Sequence, residues 1–229
     1  MEGAVAIVLA AGSGERLGSR IPKAFVGLGG RPLLARALAS ALACPAIDAV
    51  VVAAPPGCED LAHAVLEPFG THAVVTGGET RQASVMAALA VVPEEVRVLV
   101  CHDAARPLAT PRLFSAVIAA LDIVDVDGVV PVVPVADTVK RVRGGLVVGT
   151  ERREELVFAQ TPQAFRAAAL RDAHARAAEG GVAFSDDAAA AEWAGYRVVA
   201  VEGEPSNFKI TDMGDLARAE QVLKEPVRD

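Results

Sequence analysis

A doubly wound α/β domain with a mostly parallel sheet and one protruding β-arm is the fold the sequence predicts. Three observations predict it. Short apolar runs alternate with amphipathic stretches from the N-terminus to about Val133, as in successive βαβ units. The apolar residues are mainly Ala, Val and Leu: the chain is 52% hydrophobic but only 4% aromatic, which suits buried strands covered by Ala-rich helices. One Val-rich segment around Gly144-Gly145 then breaks the alternation and reads as a hairpin.

In chain order, Val5 to Leu9 is a strand that ends in a Gly-rich loop, Ala10 to Lys23, and Pro32 opens a helix to about Leu42. The pattern repeats as strand Ile47 to Ala53, helix Gly57 to Leu66, strand Ala73 to Thr76, helix Thr80 to Val91 and strand Val96 to Cys101. Thr110-Pro111 reads as an N-cap followed by proline at the first helical position, starting a helix to about Leu121. Strand Val129 to Val133 follows. Asp137 to Thr150 then forms the hairpin, and the arm as a whole is expected over about 137–158. Helices at Arg166 to Ala178 and Asp186 to Ala194, the latter capped by Ser185, a strand at Arg197 to Val201 and a last helix from Asp212 to Leu223 complete the reading.

The 229 residues fit one large domain, 1–229, with no room for a second catalytic module. A net charge of -7 disfavours wholesale attraction to nucleic acid or an anionic membrane, so any phosphate binding must be local. Cys44, Cys58 and Cys101 are odd in number and show neither disulfide-framework nor zinc spacing. No leader pattern or bilayer-length apolar run is present, and a cytoplasmic protein is expected.

Ligands of an open parallel sheet bind beyond the carboxyl ends of the strands, so the loops that follow strands should carry the chemistry. The first such loop holds Gly12 and Gly14, which let backbone amides approach phosphates, and the cations Arg16, Arg20 and Lys23. Leu17 stands where a dinucleotide fingerprint needs Gly or Ala, and Ala53 and Ala54 where it needs an acid. A P-loop is also absent. What the loop does contain is Ala-Ala-Gly-x-Gly-x-Arg-Leu from Ala10 to Leu17, then Pro22-Lys23.

With Gly77 to Val85 (Gly-Gly-Glu-Thr-Arg-Gln-Ala-Ser-Val), His102 to Pro107 (His-Asp-Ala-Ala-Arg-Pro), Asp137 to Lys140, Thr161-Pro162-Gln163, Ser185 to Asp187 and Asn207 to Thr211, this chain resembles the methylerythritol phosphate cytidylyltransferase family along its whole length. The resemblance implies a Rossmann-like nucleotidyltransferase fold. It also implies transfer of CMP from CTP to a polyol phosphate with release of pyrophosphate, with Mg2+ or another divalent cation bridging phosphate oxygens.

Both reactants are anions, so cations must carry the transition-state charge. The resemblance gives Arg16, Lys23, Arg153 and Lys209 as catalytic residues. It gives Ala10, Ala11, Gly12, Gly14 and Gly78, together with Arg81, Ser84, Asp103 and Ala104, as nucleotide-binding. Asp103, Arg106, Thr138, Arg153, Thr161 and Lys209 fall to the acceptor, with Asp103 also a metal contact and either Arg152 or Arg153 as the arm arginine. A phosphate monoester is already ionised near neutral pH, so no general base is assigned. Ser84 on its own would also suit a helix face, and His102 reads as a packing residue. Asp186-Asp187 could be a metal pair, but the position suits helix capping better. An exposed hairpin arm needs a partner surface, and the resemblance implies a homodimer. Rival readings are a cytidylyltransferase for another polyol phosphate such as ribitol 5-phosphate, and a nucleotide-binding module without catalysis.

Overall fold

The computed structural model describes residues 3–12, 14, 21–70, 72–123 and 125–224. In chain order the first elements are β1 (Ala4–Leu9), a short hairpin of β2 (Gly27–Leu28) and β3 (Arg31–Pro32), α1 (Leu33–Leu42), β4 (Ile47–Ala54), α2 (Glu59–Leu66), β5 (Ala73–Thr76) and α3 (Arg81–Leu89). Then come β6 (Val98–Asp103), α4 (Pro111–Ala120), β7 (Gly128–Pro134), the arm strands β8 (Lys140–Arg143) and β9 (Leu146–Thr150), and two short strands, β10 (Val157–Ala159) and β11 (Gln163–Arg166). The chain continues with α5 (Ala167–Glu179), α6 (Asp187–Trp193), β12 (Val198–Glu202) and α7 (Met213–Lys224).

Strand β1 is buried at every position and pairs in parallel with β4 on one side and β6 on the other, while β5 extends the sheet beyond β4. Its side chains alternate between two cores. Ala4, Ala6 and Val8 pack with Leu34 and Leu38 of α1, Ala62 of α2 and Phe114 of α4. Val5, Ile7 and Leu9 pack with Val85 of α3, Leu170 of α5 and Ala188 of α6. Helices thus cover both faces, as the doubly wound reading requires.

Beyond β6 the sheet departs from simple alternation. Strand β11 runs antiparallel between β6 and β7, β10 pairs antiparallel with the carboxyl end of β7, and β12 pairs with β7 in parallel. Sequence pattern shows neither β10 nor β11, because Pro162 divides a segment too short to display a period. It also assigns Arg166 to a helix, whereas that residue ends β11 and caps α5.

Helix starts follow side-chain chemistry. Thr80 Oγ1 accepts from Ala83 N at 3.0 Å, and Thr110 Oγ1 from Leu113 N at 3.2 Å with Pro111 next in line. At α6 the cap is Asp186, whose Oδ1 accepts from Ala189 N at 3.0 Å, and not Ser185 as expected. The arm turns through Gly144 and Gly145 at φ of 53° and 80°, the two positive values that a tight hairpin turn needs. Its Leu146 and Val147 are 72% and 64% exposed, so the arm has no apolar cover among the described residues of its own chain.

Candidate active site

Chain direction reverses at β1: from there the chain runs outward through β4 and β5 and then returns to β6 on the other side of β1. Leu9 and Asp103 lie opposite each other where the two strands end, and Ala104 N donates to Leu9 O at 3.0 Å. Such a switch point leaves a crevice at the carboxyl ends. Here the crevice has a volume of about 470 Å3.

Its walls bring together Ala10, Ala11 and Gly12 after β1, Gly78, Arg81 and Ser84 around the start of α3, Asp103 and Ala104 after β6, and Lys23 and Lys209 from two other loops. Lys23 opens a single helical turn, Lys23–Phe25, set by Pro22. Gly14 stands behind it. A Cβ on Gly14 would lie 2.5 Å from Lys23 Cβ, and its φ of +68° disfavours any side chain, so glycine here lets the loop close against the lysine stem. Arg16 and Arg20 lie outside the described residues.

The Ser84 side chain is turned inward. Its hydroxyl donates to Thr80 O at 3.0 Å and accepts from Gly78 N at 3.1 Å, which fixes the glycine loop on the first turn of α3 and leaves one lone pair for a ligand donor.

Asp103 is the electrostatic centre. One carboxylate oxygen receives Arg81 Nε at 3.2 Å and the other Lys209 Nζ at 2.7 Å. Burial works against its charge, but Arg81 and then Lys209 hold its carboxyl well below the usual carboxylate range. Arg81 in turn donates to Asp187 Oδ2 at 2.7 Å, and Asp187 Oδ1 meets His174 Nε2 at 3.0 Å in the core. Burial works against the Asp187 charge as well, yet Arg81 and His174 bring its pKa down to about 2. Asp187 is therefore neither a cap nor half of a metal pair. It is the counter-ion behind Arg81, while its neighbour Asp186 does the capping.

A second hollow of about 230 Å3 adjoins the first and shares Arg81, Asp103 and Lys209 with it. Arg106 and Thr161 line it. Arg106 is not paired with Asp103 but donates to Asn207 O at 2.8 Å and Ala159 O at 3.1 Å. Thr161 is buried: its Oγ1 accepts from Asp103 N at 3.0 Å and lies 3.0 Å from His102 Nδ1. His102 packs edge-on against Phe114, and burial lowers its pKa to about 4, which keeps it neutral.

Thr138 and Arg153 line neither hollow. Thr138 is exposed at the base of the arm, and Arg153 donates to Ala136 O at 3.0 Å beside a separate depression formed by Pro134, Val135 and Ala136. Arg152 pairs with Glu155.

Among the described residues no group of three or more His, Cys, Asp or Glu is placed to hold a metal ion. Both oxygens of Asp103 already carry cations, so the described residues do not make a divalent-ion site by themselves. Among the described residues, no helix is long and apolar enough to cross a membrane.

The model of the family 2-C-methyl-D-erythritol 4-phosphate cytidylyltransferase matches residues 4–225. The protein of that name from Rhodococcus opacus (strain B4) is 46% identical over 222 residues, covering 96% of this chain and 95% of the relative. The bifunctional enzyme IspD/IspF of Bradyrhizobium sp. (strain ORS 278) is 41% identical over 98% of this chain but only 57% of its own length. The chain thus spans about half the length of the bifunctional relatives it matches. The crystal structure of 2-C-methyl-D-erythritol 4-phosphate cytidylyltransferase from Thermus thermophilus superposes with a TM-score of 0.80 at 37% identity, covering 98% of this chain and 100% of that one.

Proposed function

The chain belongs to the 2-C-methyl-D-erythritol 4-phosphate cytidylyltransferase family, and from that premise we propose that it transfers CMP from CTP to 2-C-methyl-D-erythritol 4-phosphate, releasing pyrophosphate, in the non-mevalonate route to isoprenoid precursors. The observation that carries this reading is the convergence of Lys23, Lys209, Arg81 and Asp103 on one crevice whose rim is the backbone of Ala10 to Gly12.

In this reading the cytosine lies against Ala10, Ala11, Gly78 and Ser84, and the triphosphate follows the glycine loop to Lys23. Backbone groups in a stiff loop discriminate base edges at little ordering cost. The acceptor phosphate sits in the adjoining hollow with Lys209, Arg106 and Thr161, and one of its oxygens attacks the α-phosphorus in line while pyrophosphate leaves. The acceptor phosphate is ionised near neutral pH, so the site has to align two anions and does not have to remove a proton. Lys23 neutralises charge building on the α- and β-phosphate oxygens, and Arg16 at the same loop adds a planar fork of donors. Asp103 orients Lys209 towards the hollow and faces the ribose of the bound nucleotide.

A divalent cation such as Mg2+ would enter with the nucleotide and not on a site built by the described residues, and it would supply positive charge to the triphosphate. The arm is the surface of a homodimer, and Thr138 and Arg153 of one subunit complete the acceptor hollow of the other, which accounts for their distance from the hollow in a single chain. We place the enzyme in the cytoplasm.

The test is pyrophosphate release from CTP with a panel of polyol phosphates. 2-C-methyl-D-erythritol 4-phosphate should be turned over far faster than ribitol 5-phosphate. Preference for another polyol, or CTP binding with no turnover of any, would overturn the reading.

A further inference from the structure

We propose that Asn207 and Gln160 are positioning residues that act as one clasp on the acceptor half of the site. The proposal rests on the functional reading above only for the name of the acceptor. The clasp itself is geometric.

Asn207 is fully buried, two residues before Lys209 on the loop between β12 and α7. Its Nδ2 donates to Thr161 O at 2.8 Å and to Gln160 Oε1 at 3.3 Å, while its backbone carbonyl accepts from Arg106 Nη1 at 2.8 Å. Gln160 is 4% exposed and reads the same loop in both directions: Nε2 donates to Glu204 O at 2.8 Å, and Oε1 accepts from Glu204 N at 3.1 Å. Arg106 closes the ring through Ala159 O, next to Gln160.

The three acceptor-side groups are therefore tied around two buried amides: Thr161 through Asn207 Nδ2, Arg106 through the backbone carbonyl of Asn207, and Lys209 through the chain two residues on. Neither amide lines the nucleotide crevice, and of the two only Gln160 reaches the wall of the acceptor hollow. Lys209 is an exposed, flexible side chain on an otherwise irregular loop, and its Nζ sits 2.7 Å from Asp103 because the loop is sewn down two residues earlier. Gly78 bonds to Ser84, and Ser84 to Thr80, not to the clasp. Its loss should thus separate the two substrates.

Replacing Asn207 by Ala, and Gln160 by Met of similar length, removes two side-chain hydrogen bonds or more in each case. Acceptor KM should rise roughly 10- to 100-fold. The Kd for CTP, measured by calorimetry on the folded variants, should stay within about 2-fold, since the clasp bonds lie on the acceptor side. Because the amides act together, the Asn207→Ala, Gln160→Met double variant should be no worse than the worse single one. Gln160→Met on its own leaves Asn207 in place, should show the same split, and serves if the alanine variant does not fold. CTP affinity falling in step with acceptor affinity, a normal acceptor KM, or additive effects in the double variant would each overturn the clasp. If the wild type prefers a different polyol phosphate, the functional reading fails, and the same split is then read with that acceptor.

Discussion

Asp103 carries two cations on one carboxylate, and Lys23 stands across the crevice on a separate loop. Lys23→Ala should reduce turnover by about 100-fold or more while the circular dichroism spectrum and melting temperature stay near wild type, as for deletion of one transition-state donor. A folded variant with nearly normal turnover would remove Lys23 from the mechanism. His102 predicts a pH response. Its pKa is depressed by burial from an ordinary value near 6.5 to about 4, so the unfolded chain takes up a proton before the folded one does. The stability it contributes is complete above about pH 6.5 and is lost as pH falls towards 4, by as much as ~3 kcal/mol. Asp187 adds a separate loss between about pH 4 and 2, since its carboxyl is held ionised in the folded state. Urea unfolding across this range should show the upper slope flattened in His102→Asn; coincident slopes would exclude the assignment. At this scale the family motifs pick out Lys23, Asp103 and Lys209, and the fold brings all three to one crevice. Sequence pattern misassigns Asp187 as a cap, because two adjacent acids before a helical pattern satisfy the capping rule equally well and only packing tells which one turns inward to Arg81.

Three helices end on arginines borrowed from elsewhere in the chain. Arg171 of α5 donates to Leu89 O at the end of α3 and to Val92 O beyond it, both at 2.8 Å; Arg166 reaches Leu121 O at 2.9 Å beyond α4, and Arg176 reaches Ala194 O at 2.8 Å beyond α6. Each places a cation on the negative end of a helix and satisfies carbonyls that have no intrahelical partner. Arg171→Leu should cost about 1–2 kcal/mol of stability with CTP affinity unchanged. Calorimetric melting beside CTP titration checks this, and a stable variant with weakened CTP binding would contradict it. Such pairings join distant segments, so no periodicity could reveal them. The same holds for β11: its three buried residues Gln163, Ala164 and Phe165 owe their strand geometry to the β6 and β7 edges on either side, not to a pattern of their own. The alternation up to β7 and the Gly144-Gly145 hairpin were legible because both are written in local spacing and turn chemistry.

On the scale of the whole molecule, the arm exposes Val142, Leu146, Val147 and Val148, each more than half accessible, and β10 adds Val157 and Phe158 near its base. An isolated two-stranded ribbon is marginal in water, so a covering surface is expected. Sedimentation should show a dimer, and refolding a mixture of Lys23→Ala and Arg153→Ala chains should restore part of the activity, because some heterodimers regain one intact site. A monomer, or no recovery from the mixture, would rule out shared sites. The placing of β11 has a consequence for biosynthesis. β6 and β7 leave the ribosome first, yet they are joined side by side only by a strand translated after both, with the arm in between. A nascent chain that has passed β7 but not reached Gln163 therefore displays open strand edges and has no acceptor hollow. Chains released just before Gln163 during cell-free translation should aggregate or recruit chaperones, while chains extending through α7 stay in solution. Equal solubility of the two would mean that the early strands protect their own edges until the late one arrives.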